Sequence, residues 1–120
     1  MRILVIEPEC KPIVRSIDGE LETMQELVGG LIQTLYPFGD SVALVCNDEG
    51  KLMKLPANRA LRDADGQVYD IVCGTFFICG RDGDSVASLT DEQIQRYRAM
   101  FAVPELFVNL CGQLMILPME

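Results

Sequence analysis

The chain has 120 residues, the size of one domain, and 49% hydrophobic against 23% charged residues supplies enough apolar material for a single core. Eighteen acids against ten bases leave a formal charge of −8, which argues against a protein that neutralises nucleic-acid phosphates and points to cationic partners or to solubility alone. Histidine is absent, so Ser-His-Asp, Cys-His and His-ligated metal chemistry are excluded within the chain.

Ile3 to Ile6 is a continuous apolar run that predicts a first strand buried on both faces; it stops at Glu7, too short for a signal peptide. After the loop Glu7 to Pro12, the alternation of Ile13, Arg15 and Ile17 predicts a second strand in a hairpin. Asp18 is placed to cap a helix of about three turns, in which Leu21, Met24, Leu27 and Val28 share a face and Gly29-Gly30 forms the stop. Strands are expected over Leu31 to Tyr36 and Val42 to Cys46. A turn at Asn47 to Gly50, a short strand from Lys51 to Leu55 and a bend at Pro56 to Arg59 follow.

Another turn is expected at Asp63 to Gly66. Gln67 to Cys79 is the strongest strand signal, broken at Gly74, with Ile71, Cys73, Thr75, Phe77 and Cys79 on one face and Val72, Phe76 and Ile78 on the other. Gly80 to Asp84 reads as an exposed loop. Thr90-Asp91-Glu92-Gln93 matches a capping box for a second helix that carries Ile94, Tyr97 and Phe101 on one face and ends before Pro104.

The order ββα, strand meander, α predicts an α+β fold, a mainly antiparallel sheet with two helices on one face. The expected organisation is a single domain over residues 1–103 and an apolar extension over 104–120. Leu106, Val108, Leu110, Leu114, Ile116 and Leu117 carry too much apolar surface for a free end, so residues 106–117 should pair as a strand or cover a homodimer contact. The extension is too short and too interrupted to span a membrane, which leaves a soluble, cytoplasmic protein as the expectation. Five cysteines, Cys10, Cys46, Cys73, Cys79 and Cys111, form no Cys-x-x-Cys pair and read as buried thiols in a reducing compartment.

Several segments carry a likeness. Ile17-Asp18-Gly19 leading into Leu27-Val28-Gly29-Gly30, Asn47 to Leu52, Leu55 to Leu61, and Tyr69-Asp70-Ile71 with Gly74 to Ile78 together resemble a bacterial and phage family, domain of unknown function 3846. The resemblance covers roughly residues 1 to 101, and the stretch after Pro104 departs from it. It implies a small protein frequent in Gram-positive bacteria and their mobile elements, without an established activity. Proteins carried by such elements are often regulators or inhibitors of host defence, an association that supplies no mechanism.

The candidate site is Asn58-Arg59 with Lys51 and Lys54 nearby, because a guanidinium fork suits a carboxylate or phosphate. The alternative is a turn capped by Asn58, with Arg59 paired to Asp63 or Asp70. Asp63, Asp65, Asp70, Asp82 and Asp84 fail the EF-hand spacing and read as turn residues. Tyr36, Tyr69 and Phe76 could stack a base, but aromatic residues on strand-like runs are usually core. The sequence therefore predicts a non-enzymatic acidic interaction protein without metal or cofactor. It would dock on a cationic protein surface, with Asp48 and Glu49 in the contact. The competing expectation is a module for a small anionic ligand, a nucleotide or metabolite, held by Asn58 and Arg59.

Overall fold

The computed structural model describes residues 1–119. In chain order the elements are β1 (Arg2–Ile6), β2 (Ile13–Ser16), α1 (Leu21–Val28), β3 (Ile32–Leu35), β4 (Val42–Asn47), β5 (Ala57–Arg62) and β6 (Val68–Cys73). They continue with β7 (Phe76–Asp82), β8 (Ser85–Ala87), α2 (Asp91–Met100), β9 (Glu105–Leu110) and β10 (Gln113–Pro118). The main sheet runs β2-β1-β7-β4-β3, with β8 added to β7, and two separate hairpins are formed by β5-β6 and β9-β10. Every pairing is antiparallel. The fold is α+β and mainly sheet, as the pattern predicts.

The central strands alternate between two cores. Leu4, Ile6, Val42, Leu44, Phe76 and Ile78 pack with Ile94, Tyr97 and Phe101 of α2 and with Leu61 and Val72 from the β5-β6 hairpin. Ile3, Val5, Ala43, Val45, Phe77 and Cys79 pack with Met24 and Val28 of α1. The helices therefore cover opposite faces, which corrects the expectation of two helices on one face. The reason is the composition of β1, β4 and β7: apolar on both sides, they need cover on both.

Local signals set the helix ends. Thr90 Oγ1 accepts from Gln93 N at 3.2 Å while Gln93 Oε1 accepts from Thr90 N at 2.9 Å, the reciprocal capping box of α2. Gly29 ends α1 in the left-handed region at φ 79°. The cap of α1 is Glu20, without a side-chain bond; Asp18 instead accepts from Glu20 N before the helix begins. At eight residues, α1 makes about two turns rather than three.

The middle of the chain differs from the reading. Lys51 to Leu55 is a run of turns, closed by bonds such as Leu55 N to Gly50 O at 3.0 Å, and holds no strand. The expected bend at Pro56 to Arg59 opens β5 instead, and the expected loop at Gly80 to Asp84 is the end of β7 and its tight connection to β8. Gly74 separates β6 from β7 at φ 83°, where a Cβ would lie 2.7 Å from Leu55 Cδ1. Residues 106–117 do pair, as the hairpin β9-β10 around Cys111 (φ 51°) and Gly112 (φ 82°).

Candidate functional site

Asn58 sits at a register shift between Ala57 and Arg59, a bulge that interrupts the alternation of β5. As a result Asn58 to Leu61 are buried in succession. Asn58 Nδ2 donates to Ile6 O and Gly74 O, both at 2.9 Å. Arg59, only 1% exposed, spends both terminal nitrogens internally. Nη1 donates to Asn58 Oδ1 at 2.8 Å and Asn58 O at 3.3 Å, and Nη2 to Cys10 O at 2.6 Å and Phe101 O at 3.1 Å.

These bonds correct both sequence readings of the pair. Arg59 is ion-paired with neither Asp63 nor Asp70, and Asn58 has no amide hydrogen to spare for a ligand. Arg59 fastens the loop after β1, the start of β5 and the carbonyl end of α2, where a cation is favoured. Burial pulls its pKa below the ordinary arginine value, with the Glu105 carboxylate acting in the opposite direction. Its Nε is buried and has no partner among the described residues.

The other candidates lie elsewhere. Lys51 Nζ is 2.6 Å from Asp70 Oδ1, and this hydrogen bond raises the Lys51 pKa. Asp48 and Glu49 are exposed in the turn after β4, stabilised by Asn47, whose Oδ1 accepts from Glu49 N and whose Nδ2 donates to Val28 O. Lys51, Asp48 and Glu49 share one groove, whereas Arg59 lines a different cavity. The structure thus divides the expected site into two places.

The cavity beside Arg59 measures about 560 Å³ and lies between β5, the end of α2 and the β9-β10 hairpin. Phe38, Leu61, Phe101 and Ile116 give it apolar walls; Arg62 and Glu105 give it charge. Glu105 Oε2 is 2.7 Å from Arg62 Nη2, and Glu105 Oε1 accepts from Ala60 N at 3.0 Å. Sequence reasoning missed Arg62 and Glu105 because 43 residues separate them and neither stands in a motif. Tyr69, weighed above as a core residue, is 55% exposed and lines this cavity; Tyr36 is also exposed, under the Arg81 guanidinium at 4.3 Å, and only Phe76 is core.

Asp63 serves its turn, its Oδ1 accepting from Asp65 N and Gln67 N. Among the described residues no cluster of three or more His, Cys, Asp or Glu side chains forms a metal site, and no helix is long and apolar enough to cross a membrane. All five cysteines are free. Cys46 and Cys79 are buried, which pushes each thiol up to about 11, but Cys73 is only half-buried and Cys10 and Cys111 are exposed, a correction to the reading of all five as buried.

Residues 1–102 match the model of a family described as Domain of unknown function (DUF3846), and the chain belongs to that family. No curated protein and no solved structure matches it. The family match ends just before β9, so the β9-β10 hairpin lies outside it.

Proposed function

We propose that this DUF3846 protein is a non-enzymatic, acidic interaction protein that docks on another protein through its β9-β10 hairpin. The observation that carries the reading is the uncovered apolar face of that hairpin. Cross-strand pairing places Leu106 with Leu117, Val108 with Met115 and Leu110 with Gln113 on one face, which holds no charged side chain. Leu106, Leu110, Met115 and Leu117 are between 40% and 54% exposed. Covering the exposed half would contribute about 1 kcal/mol for each side chain, and a patch of this kind on a small domain marks an interaction site.

Charge supports a cationic partner. Salt bridges cancel Arg2, Lys51, Arg62 and Arg96 against Asp91, Asp70, Glu105 and Asp40, and Arg59 is buried, which leaves fourteen acids against five bases. Glu9 lines the groove that Leu106 borders at one end of this face. A partner surface with an apolar centre and a basic rim fits this arrangement, with the Asp48-Glu49 turn adding to the field that steers encounter. In the cytoplasm of a bacterium, such a protein would act as a regulator or an inhibitor of a host defence protein.

The test is capture of partners from a bacterial host on the immobilised chain, followed by reconstitution with the purified partner. Met115→Asp combined with Leu117→Asp should abolish the reconstituted complex, and added salt should slow its association. Retention by the double variant, or association insensitive to salt, overturns the reading. Formation of a homodimer that the same double variant dissociates would replace the cationic partner with a second copy.

A further inference from the structure

Among the described residues, Arg59 Nε is the buried side-chain donor without an acceptor. A buried N–H without an acceptor costs about 1–3 kcal/mol, and Nε is closed to solvent even with the cavity empty, so the guanidinium serves the cavity as wall. Arg59 lines the cavity of about 560 Å³, a volume within the range of small-molecule sites. Phe38 and Phe101, with ring centroids 6.2 Å apart in an edge arrangement, supply aromatic wall on one side, and Ile116 and Pro118 of β10 supply the opposite side.

The chain itself shows which head group the mouth accepts. The Glu105 carboxylate is held by the Arg62 guanidinium and by Ala60 N–H, two donors of which Ala60 N–H belongs to β5 where no neighbouring strand bonds it. Glu105 thus acts as a built-in stand-in for an anionic ligand. We propose that this cavity binds a small aromatic carboxylate or sulfonate. Its ring would pack between the phenylalanines and Ile116, and its anionic group would meet Arg62 in competition with Glu105.

This site is independent of the docking face, since Ile116 and Pro118 occupy the hairpin face opposite to Met115 and Leu117. The probe is 8-anilinonaphthalene-1-sulfonate, an aromatic sulfonate, titrated into the full chain by fluorescence, with 2-naphthoate as a carboxylate competitor. One saturable equivalent should bind and be displaced by naphthoate. Arg62→Ala should weaken binding at least tenfold, Glu105→Gln should strengthen it, and Met115→Lys should leave it unchanged.

The absence of saturable binding overturns the proposal. So does equal binding by Arg62→Ala, or loss with Met115→Lys, which would place the dye on the exposed hairpin. Should Glu105→Gln release the hairpin and lower the unfolding midpoint, Val103→Trp takes its place. Val103 is 49% exposed and lines the cavity, so the indole should fill the mouth and abolish binding, and unaltered binding by that variant counts against the site.

Discussion

Arg59 Nη1 donates to Asn58 Oδ1 at 2.8 Å, although neighbours on a regular strand point to opposite faces. The bulge at Asn58 removes that alternation and turns both side chains inward, where they bond the carbonyls of Ile6, Gly74, Cys10 and Phe101. Two polar side chains thereby join the main sheet, the β5-β6 hairpin and the end of α2.

Removing the guanidinium should be costly. Arg59→Ala leaves the Cys10, Phe101 and Asn58 oxygens without donors, each worth about 1–3 kcal/mol when buried, so a total loss of about 3 kcal/mol or more is expected in urea denaturation. Arg59→Lys should recover little of it, since an ammonium cannot reproduce the fork. Arg62→Ala breaks a partly exposed pair and should cost about 1 kcal/mol. Equal midpoints for the Arg59 and Arg62 variants would refute the assignment of Arg59 as a structural tie.

Asp40 contributes to the acid limb of stability. Its carboxylate accepts from Ser41 N at 2.7 Å, Arg96 Nη1 at 2.5 Å and Tyr97 OH at 3.0 Å, tying the β3-β4 connection to α2. The Ser41 N–H is the largest influence; burial opposes it, and the Tyr97, Gln93 and Arg96 contacts help bring the pKa below 3.8. A depressed carboxylate stabilises fully above its unfolded pKa, and that contribution is lost as pH falls through the lower folded value. Stability should therefore hold down to about pH 5 and decline below about pH 4. Asp40→Asn should lower stability at neutral pH and flatten the decline, leaving the slope due to Asp18 and Asp70, whose pKa values are also lowered. An unchanged acid limb in Asp40→Asn would assign the effect elsewhere.

The thiols should separate into three classes. Burial holds Cys46, Cys73 and Cys79 protonated above their ordinary pKa, whereas Cys10 and Cys111 are exposed. Iodoacetamide at neutral pH should modify Cys10 and Cys111 quickly, half-buried Cys73 more slowly, and Cys46 and Cys79 only on unfolding, as followed by intact mass and peptide mapping. Rapid labelling of Cys79 in the folded protein would contradict its place in the core.

What the sequence made legible was local. The capping box at Thr90, the stop at Gly29 and the break at Gly74 each depend on residues within a few positions, and each stands where it was read. Of the pattern read over Gln67 to Cys79, the part in β7 survives, Phe76 and Ile78 facing one core and Phe77 and Cys79 the other, whereas β6 lies in the separate β5-β6 hairpin with Val68 and Tyr69 exposed. What was not legible required distant partners. Pro56 looked like the start of a bend because nothing nearby announces that β6 will pair with Ala57 onward. Arg59 looked like a ligand anchor because its acceptors at Cys10 and Phe101 lie 49 and 42 residues away. Assigning both helices to one face neglected the second apolar face of β1, β4 and β7, which no single pair of short helices could cover.

Strand β7 stands between β1 and β4, and both cores take residues from it. During synthesis, the first 75 residues can close the β1-β2, β3-β4 and β5-β6 hairpins, but they lack the strand that unites them. Assembly must wait for Phe76 to Asp82 to emerge, and until then β1 and β4 lack the strand between them and, on the face later covered by α2, leave apolar side chains unprotected. The nascent chain is consequently most open to aggregation and proteolysis just before β7 arrives, and the long separation between β1 and β7 makes the closing step slow compared with the hairpins.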